Sequence, residues 1–155
     1  MRIGYGEDAH ALTKGRPLII GNVEIQNSPR GSVAHSDGDV LLHALSDALL
    51  SAFALGDIGH YFPPSNPDFK DMDSAEILLA ILDIIHETAK TFEVQNISAV
   101  ITLDQPKLGR FREAIQKRLT ELLELELNQV GITFKTSEGL APDHIQARVT
   151  ALIAV

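Results

Sequence analysis

An alternation of side chains near the start of the chain constrains the fold more than any other feature. Residues 2–11 have the pattern of a β-strand, and Asp8 and His10 lie two residues apart within it. Because successive side chains of a strand point to opposite faces, these two groups face the same way. His43 lies early in a segment of helical periodicity, 39–54, that opens with an Asp-Gly-Asp turn. One carboxylate and two imidazoles from a strand and a helix predict a three-ligand site for a divalent metal ion, with a fourth position open to water or substrate.

The other periodicities predict one α+β domain that spans residues 1–155. Further strands are expected at about 16–25, 94–102, 131–135 and 145–155, and further helices at about 74–90 and 111–125. Polar loops rich in Gly, Pro, Ser, Asn and Asp are expected at 26–38 and 56–73. Asp73, with Glu76 three residues later, has the spacing of an N-cap and capping box. We therefore expect a mixed β-sheet with helices packed on one face.

The composition excludes several classes of protein. The chain has no cysteine, so neither disulfides nor thiolate metal ligands can form, and nothing indicates an oxidising compartment. No secretory signal pattern is present, and no apolar run approaches membrane-spanning length. The formal net charge of −8 argues against non-specific binding to nucleic acid or to an anionic membrane. We expect a cytoplasmic protein, or one of the plastid stroma if a transit peptide has been removed.

Each candidate ligand also has an ordinary interpretation. A single Asp or His near a strand end is usually solvated or caps a turn, so the metal-site hypothesis depends on the three groups taken together. Asp39, His43 and Asp47 share one helix stripe, which suits either a polar surface or a metal ligand whose tautomer a nearby carboxylate fixes. For Asp47, a contact with a substrate hydroxyl and a solvated position also remain open. Ordinary surface positions are expected for His60, His86 and His144.

Longer blocks of the sequence resemble one family over nearly the whole chain. They are residues 1–10 (Met-Arg-Ile-Gly-Tyr-Gly-Glu-Asp-Ala-His), 34–40 (Ala-His-Ser-Asp-Gly-Asp-Val), 43–49 (His-Ala-Leu-Ser-Asp-Ala-Leu), 55–59 (Leu-Gly-Asp-Ile-Gly) with Phe62 and Pro63, 105–107 (Gln-Pro-Lys) and 135–138 (Lys-Thr-Ser-Glu). In order and spacing, these blocks resemble the 2-C-methyl-D-erythritol 2,4-cyclodiphosphate synthases of the non-mevalonate isoprenoid pathway. The blocks at 34–40 and 55–59 are highly specific.

The resemblance implies an enzyme, a phosphorus–oxygen lyase. Its members cyclise 4-diphosphocytidyl-2-C-methyl-D-erythritol 2-phosphate, with release of CMP, by attack of the 2-phosphate on the β-phosphorus. The resemblance also implies Zn²⁺ on Asp8, His10 and His43, a second ion (Mg²⁺ or Mn²⁺) on Glu138 and the substrate diphosphate, and a homotrimer with sites at subunit interfaces. A phosphate monoester has a second pKa of about 6 and is already an anionic nucleophile, so no general base is required. In agreement, the sequence offers no Ser-His-Asp or Cys-His arrangement.

The resemblance assigns roles to further residues. His35 and Thr136 match the positions that stabilise the transition state, and Ser36 matches a contact with the 2-phosphate. The positions that bind the methylerythritol hydroxyls match Asp57, Ile58 and Gly59. The other positions implied to bind substrate are Asp8, Ala9, His10, Phe62, Leu103, Lys107, Leu108, Lys135, Ser137 and Glu138. Those from Leu103 onward match the cytidine diphosphate pocket, with Lys107 as its cation.

The sequence departs from the commonest pattern of the family around Glu138. Many members continue with a segment whose Phe and Arg face a central cavity of the trimer, whereas residues 139–148 are shorter here and lack both. Retention of an isoprenoid diphosphate in that cavity is therefore not expected. Lys135 replaces a Thr of the family motif, and strand alternation would point it away from Thr136 and Glu138. Two other functions remain open: a metal-dependent phosphohydrolase acting on a nucleotide-linked substrate, and a non-enzymatic module that binds nucleotide or stores metal.

Overall fold

Seven strands and four helices make up the chain, and the computed structural model describes all 155 residues. The strands are β1 (Arg2–Lys14), β2 (Ile19–Ile20), β3 (Val23–Glu24), β4 (Arg30–Ser32), β5 (Glu93–Leu103), β6 (Val130–Lys135) and β7 (His144–Ala154). The helices are α1 (Val40–Ala52), α2 (Ile58–Tyr61), α3 (Ser74–Thr88) and α4 (Arg112–Leu123), with single 3₁₀ turns at Pro67–Phe69, Gly109–Phe111 and Leu127–Gln129. The predicted α+β class is confirmed.

The main sheet has the strand order β4-β1-β7-β5-β6. β7 runs antiparallel to both β1 and β5, and β4 runs antiparallel to β1. β6 runs parallel to β5, so the sheet is mixed, as predicted. The last strand of the sequence therefore lies at the centre of the sheet, between the strand that opens the chain and the strand that follows α3.

One face of the sheet is covered by helices and the other is open. Alternate residues of β7 are buried, namely Ile145, Ala147, Val149, Ala151 and Ile153. Between them, Arg148 and Thr150 are exposed. On β1 the open face carries Ile3 and Tyr5, which are 72% and 52% exposed. This alternation confirms that the helices pack on one face of the sheet.

Glycines in β1 allow the strand to lie directly against the backbone of α1. A Cβ atom on Gly4 would collide with the carbonyl of Ala48, and one on Gly6 would collide with the carbonyl of Ala44 and the amide of Ala48. Only glycine permits so close an approach of two backbones. The contact brings the part of β1 that follows Gly6 alongside the first turn of α1, which positions the candidate metal site.

The prediction of one strand over 16–25 is wrong. The segment folds into a small hairpin of β2 and β3, and its turn residues Gly21 and Asn22 have φ angles of 62° and 59°. The Asp39 carboxylate accepts hydrogen bonds from the amides of both turn residues, at 2.9 and 2.6 Å. The predicted loops are also partly structured, since 26–38 contains β4 and 56–73 contains α2 and a 3₁₀ turn.

Carboxylates cap both of the long helices that flank the site. Asp39 accepts hydrogen bonds from the amides of Leu41 and Leu42 at the start of α1. Asp73 caps α3 through the amide of Ala75, as predicted, but Glu76 does not complete a capping box. None of the helices has the length and apolar character needed to cross a membrane.

Candidate metal centre and active site

Asp8, His10 and His43 converge on one point between β1 and α1. Asp8 Oδ2 lies 2.8 Å from His10 Nε2 and 2.9 Å from His43 Nδ1, and the two ring nitrogens are 3.4 Å apart. Two nitrogens and one oxygen at about 2.0–2.1 Å from a tetrahedral ion would be separated by about 3.3 Å. The three ligand atoms therefore fit a divalent metal ion, and no other group of three His, Asp or Glu side chains in the structure has this arrangement.

The electrostatics of the cluster keep the carboxylate ionised. Burial acts to raise the pKa of Asp8, but hydrogen bonds from His10 and His43 outweigh it and hold that pKa well below its usual range. Burial acts in the opposite sense on His43, yet the hydrogen bond and negative charge of Asp8 raise the pKa of the imidazole. A metal cation in place of the shared protons would satisfy the same negative charge.

The second ring nitrogen of His43 is enclosed by hydroxyl groups. His43 Nε2 lies 2.9 Å from Ser74 Oγ, at the start of α3, and 3.1 Å from Ser36 Oγ. The Ser74 hydroxyl in turn makes a short hydrogen bond to the carboxylate of Asp37. Ser74 is fully buried, and His43 is only 7% exposed. Nothing in the periodicity of the sequence identified Asp37 or Ser74, because Ser74 contacts Asp37 and His43 from a separate segment of the chain.

An aspartate, a serine and a histidine thus meet here, although the sequence offered no such arrangement. Their order differs from that of a nucleophilic triad, because the serine lies between the other two and donates to the carboxylate. A fully buried hydroxyl that is already donating has no route to substrate. This serine is therefore not available as a nucleophile.

The hypothesis that Asp39 or Asp47 fixes the His43 tautomer is wrong. Asp39 caps α1 and holds the β2–β3 turn instead. Asp47 Oδ1 accepts a 2.8 Å hydrogen bond from the amide of Ile58, and burial raises the pKa of this carboxyl despite that bond. Asp47 therefore holds the turn that begins α2.

A cavity of about 190 Å³ adjoins the metal cluster. It is lined by residues that include His10, Ala34, His35, Ser36, His43, Ile58, Gly59 and Phe62. His35 is exposed at its rim, and Ser36 is buried with its hydroxyl beside His43. Asp57 caps α2 by accepting from the amide of His60, so its carboxylate also shapes this turn. The structure thus brings most of the predicted residues of the first half of the chain together around one cavity, namely His10, His35, Ser36, His43, Ile58, Gly59 and Phe62.

The predicted residues of the second half form a separate group beyond β6. Thr136 Oγ1 donates a 3.0 Å hydrogen bond to Glu138 Oε1. Asp104, which the sequence did not identify, accepts from the amide and hydroxyl of Ser137, at 2.5 and 2.8 Å, and from the amide of Gly139. The Ser137 hydroxyl and amide thereby lower the pKa of the Asp104 carboxyl. Asp104 fastens the turn that carries Thr136 and Glu138 to the end of β5.

The other predicted residues differ in whether their side chains reach the protein surface. The ammonium group of Lys107 lies 3.3 Å from the backbone carbonyl of Asp104, at the protein surface. Leu103 and Leu108 have their side chains in the core, at 3% and 4% exposure, so only their backbones can meet a ligand. Ala9 alternates away from Asp8 and His10, with its methyl group exposed. Lys135 lies on the exposed side of β6, so its side chain points away from the core.

The two groups of residues lie apart within one chain. His10 is paired with Ile145 of β7, and Ile145 is paired with Leu103 of β5. Asp104, the next residue after Leu103, holds the turn of Thr136 and Glu138 through the amides of Ser137 and Gly139. Two strand spacings correspond to about 10 Å. The His10 side chain points to His43 rather than along the sheet, so it does not shorten this distance.

The remaining histidines and a second, larger groove lie elsewhere. His60 and His86 are exposed and His144 is half-buried, and none of them joins the metal cluster. A groove of about 640 Å³ runs between α3, β5 and the end of α4. Although larger than the cavity beside the metal cluster, it contains none of the predicted site residues.

A carboxylate and two imidazoles beside a cavity lined by hydroxyl, imidazole and backbone groups define a class of metal-binding enzyme site. Comparison with known proteins identifies the family. The model of the YgbB family matches residues 1–154. The chain belongs to this family.

Curated relatives of similar length carry one name, 2-C-methyl-D-erythritol 2,4-cyclodiphosphate synthase. The protein of Thermus thermophilus is 50% identical over 153 residues, which are 99% of each chain. That of Deinococcus radiodurans is 53% identical over 152 residues, or 98% of this chain and 93% of the relative.

Solved structures of the same enzyme have the same fold. One is 50% identical, covers 99% of this chain and 100% of its own, and gives a TM-score of 0.92. A form described as bound to CDP is 48% identical, with the same coverage and a TM-score of 0.91. A CDP complex from Plasmodium falciparum, 27% identical over 98% of this chain and 94% of its own, gives a TM-score of 0.82.

Proposed function

We propose that this chain converts 4-diphosphocytidyl-2-C-methyl-D-erythritol 2-phosphate to 2-C-methyl-D-erythritol 2,4-cyclodiphosphate and CMP. The observation that carries the proposal is the metal cluster of Asp8, His10 and His43 beside a cavity that contains His35 and Ser36. Full-length relatives named for this reaction support it. The neighbour described as bound to CDP supports a nucleotide pocket, because CDP forms part of the proposed substrate.

The residues of the cavity would position the 2-phosphate for attack. Ser36 Oγ already accepts from the backbone amide of Gly38 and lies against His43 Nε2, so its single hydrogen is free to donate to a phosphate oxygen. His35, exposed at the rim, would add a donor to the developing charge. The amides of Ile58 and Gly59, in the turn held by Asp47 and Asp57, would bind the hydroxyls of the substrate.

We propose Zn²⁺ as the ion of the cluster, since two imidazoles and a carboxylate are among its preferred ligands. When bound, it would polarise and orient a phosphate oxygen. Glu138 would hold a second ion, Mg²⁺ or Mn²⁺, of the kind that keeps waters and takes most ligands from substrate phosphates. Thr136, which donates to Glu138 here, would donate its single hydrogen to the transferred phosphate once Glu138 holds the ion. Lys107 would supply positive charge to the nucleotide.

We propose that the active unit is a homotrimer with each site shared between neighbouring subunits. Two ions that act on one diphosphate lie about 4 Å apart in two-metal sites. Within one chain, however, the turn that carries Glu138 is held at the end of β5, two strand spacings, or about 10 Å, from His10. A second copy that brings its own Glu138 to the metal cluster removes this conflict. Ile3 and Tyr5, exposed on the open face of the sheet, support burial of that face against another copy.

A chain without cysteine suits the cytoplasm, the location we propose.

The decisive experiment is incubation of the purified protein with the CDP-methylerythritol phosphate, followed by ³¹P NMR. We expect CMP and a cyclic diphosphate in equal amounts. Repeating the reaction in ¹⁸O-water distinguishes cyclisation from hydrolysis, because an activated water would label the phosphate product and internal attack would not. Labelled, non-cyclic product would identify a phosphohydrolase, and nucleotide binding without turnover would identify a binding module.

A further inference from the structure

We propose that Ser74, held by Asp37, is a positioning residue that fixes the tautomer of His43 and so directs its Nδ1 lone pair to the metal ion. The proposal rests on the metal centre of the proposed function, but it concerns residues to which no role has been assigned. It also gives α3, which carries none of the predicted ligands, a part in the site.

The direction of the hydrogen bonds follows from counting hydrogens. A serine hydroxyl has one hydrogen, and an ionised carboxylate only accepts. The hydrogen bond between Ser74 Oγ and Asp37 must therefore contain the serine hydrogen, because the carboxylate has none to donate. Ser74 Oγ, 2.9 Å from His43 Nε2, is then left to accept. The ring hydrogen consequently lies on Nε2.

A neutral imidazole carries one N–H group, so the hydrogen on Nε2 leaves a lone pair on Nδ1. Nδ1 is the atom that faces Asp8 Oδ2 at 2.9 Å and His10 Nε2 at 3.4 Å. The chain of contacts from Asp37 through Ser74 to His43 thus selects the tautomer that can bind a metal ion. A hydrogen bond to the far nitrogen of a metal-binding histidine commonly serves this purpose.

Further contacts hold the chain of hydrogen bonds from Asp37 through Ser74 to His43, which we call the relay. The Asp37 carboxylate also accepts from the amide of Ser74, at 3.0 Å, and from the amide of Asp39, at 3.1 Å. It therefore joins the first residue of α3 to the N-cap of α1. Ser74 is fully buried, so bulk water cannot take over the lost contact without new space. Ser36 is the only other partner of Nε2, at the longer distance of 3.1 Å.

The test is the zinc affinity of purified Ser74→Ala protein, freed of metal and titrated with Zn²⁺ against a competing chelator. We expect binding 10- to 100-fold weaker than in the wild type, the usual effect of removing such a partner. Ser46→Ala is the matched control, because Ser46 is also fully buried but its hydroxyl has no hydrogen-bond partner. Its zinc affinity should stay within twofold of the wild type.

A spectroscopic measurement separates positioning from a general loss of structure. In ¹⁵N-resolved spectra of the zinc-loaded wild type, the Nε2 hydrogen of His43 should exchange slowly with water. In Ser74→Ala it should exchange faster. If Ser74→Ala does not fold, Ser74→Thr and Ser74→Val form an isosteric pair, and only the threonine, which keeps the hydroxyl, should retain tight zinc binding.

Failure of the inference is distinct from failure of the proposed function. Unchanged zinc affinity and unchanged exchange in Ser74→Ala would overturn the positioning role even if the wild type cyclises its substrate. Equal zinc affinity in the threonine and valine variants would do the same. Weakened zinc binding in Ser74→Ala, in a protein that releases no CMP, would support the relay while rejecting the proposed reaction.

Discussion

Replacing Gly6 by alanine should damage the metal site without touching a ligand. Gly6 lies two residues before Asp8 and packs against the turn of α1 that follows His43. An added Cβ atom would overlap the backbone of Ala44 and Ala48 and would lie 2.9 Å from Asp47 Cβ. The closest overlap is 2.2 Å, from the added Cβ atom to the Ala44 carbonyl oxygen, whereas close C···O contacts are about 3.3–3.6 Å, so strand and helix must separate by about 1 Å. Because backbone atoms cannot rotate aside, we expect a loss near the upper end of overpacking effects, about 3 kcal/mol of unfolding free energy.

The same displacement should be visible in metal binding. Metal–ligand distances tolerate only about ±0.2 Å, and the strand that moves carries two of the three proposed ligands. We therefore expect zinc affinity to fall by at least about 100-fold, somewhat beyond the effect of losing a supporting hydrogen bond. Urea unfolding of metal-free protein measures the first effect, and titration with Zn²⁺ against a chelator measures the second.

Gly109→Ala is the matched control for Gly6→Ala. A Cβ atom there would meet nothing within 4 Å, and the position has no left-handed backbone conformation. Its unfolding free energy should change by less than about 0.5 kcal/mol. The reasoning would be refuted if Gly6→Ala lost less than about 1 kcal/mol, or if it lost stability but bound zinc as tightly as Gly109→Ala does.

Three further predictions concern individual residues. His43→Ala should fold but lose stoichiometric zinc and turnover, and zinc retained in elemental analysis would contradict the ligand assignment. The pKa of Asp104 is lower in the folded protein than in the unfolded chain. The charged carboxylate therefore stabilises the fold at pH values above the unfolded pKa, and this stabilisation is lost as the pH falls through the folded pKa. Asp104→Asn should therefore melt earlier at pH 7, with a difference that vanishes in acid, whereas exposed Asp83→Asn should melt like the wild type at both pH values. Mixed Asp8→Ala and Lys107→Ala proteins should regain activity; its absence after proven subunit exchange would mean that each chain builds its own site.

The parts of the site that could be predicted from the sequence depend on local geometry. Asp8 and His10 share a face because a strand has a period of two, and His43 lies early in a helix whose periodicity is plain. The contacts of Ser74 with Asp37 and with His43 could not be predicted in this way, because they join residues 37 and 31 positions apart along the chain. The Asp-Ser pair that begins α3 signals only a helix start.

The β2–β3 hairpin was not predicted for a different reason. Residues 16–25 contain enough apolar and β-branched side chains to resemble one strand, and Gly21-Asn22 lies in the middle of them. That dipeptide is a recognised turn signal between two short strands. Its decisive support comes from the Asp39 carboxylate, which binds both turn amides from another element. A turn stabilised by a distant side chain is difficult to distinguish from an irregular strand by periodicity alone.

The central place of β7 sets the order in which the molecule can be completed during synthesis. All three proposed zinc ligands have been synthesised once His43 is made, yet β1 lacks its neighbour β7 until residues 144–154 follow. Until then β1 and β5 both present unpaired edges, which are prone to association with other chains. Pairing over so great a sequence separation is also slow. Metal capture should therefore come after translation of the last strand, and a ribosome-bound chain would carry the ligands without a finished site to hold the ion.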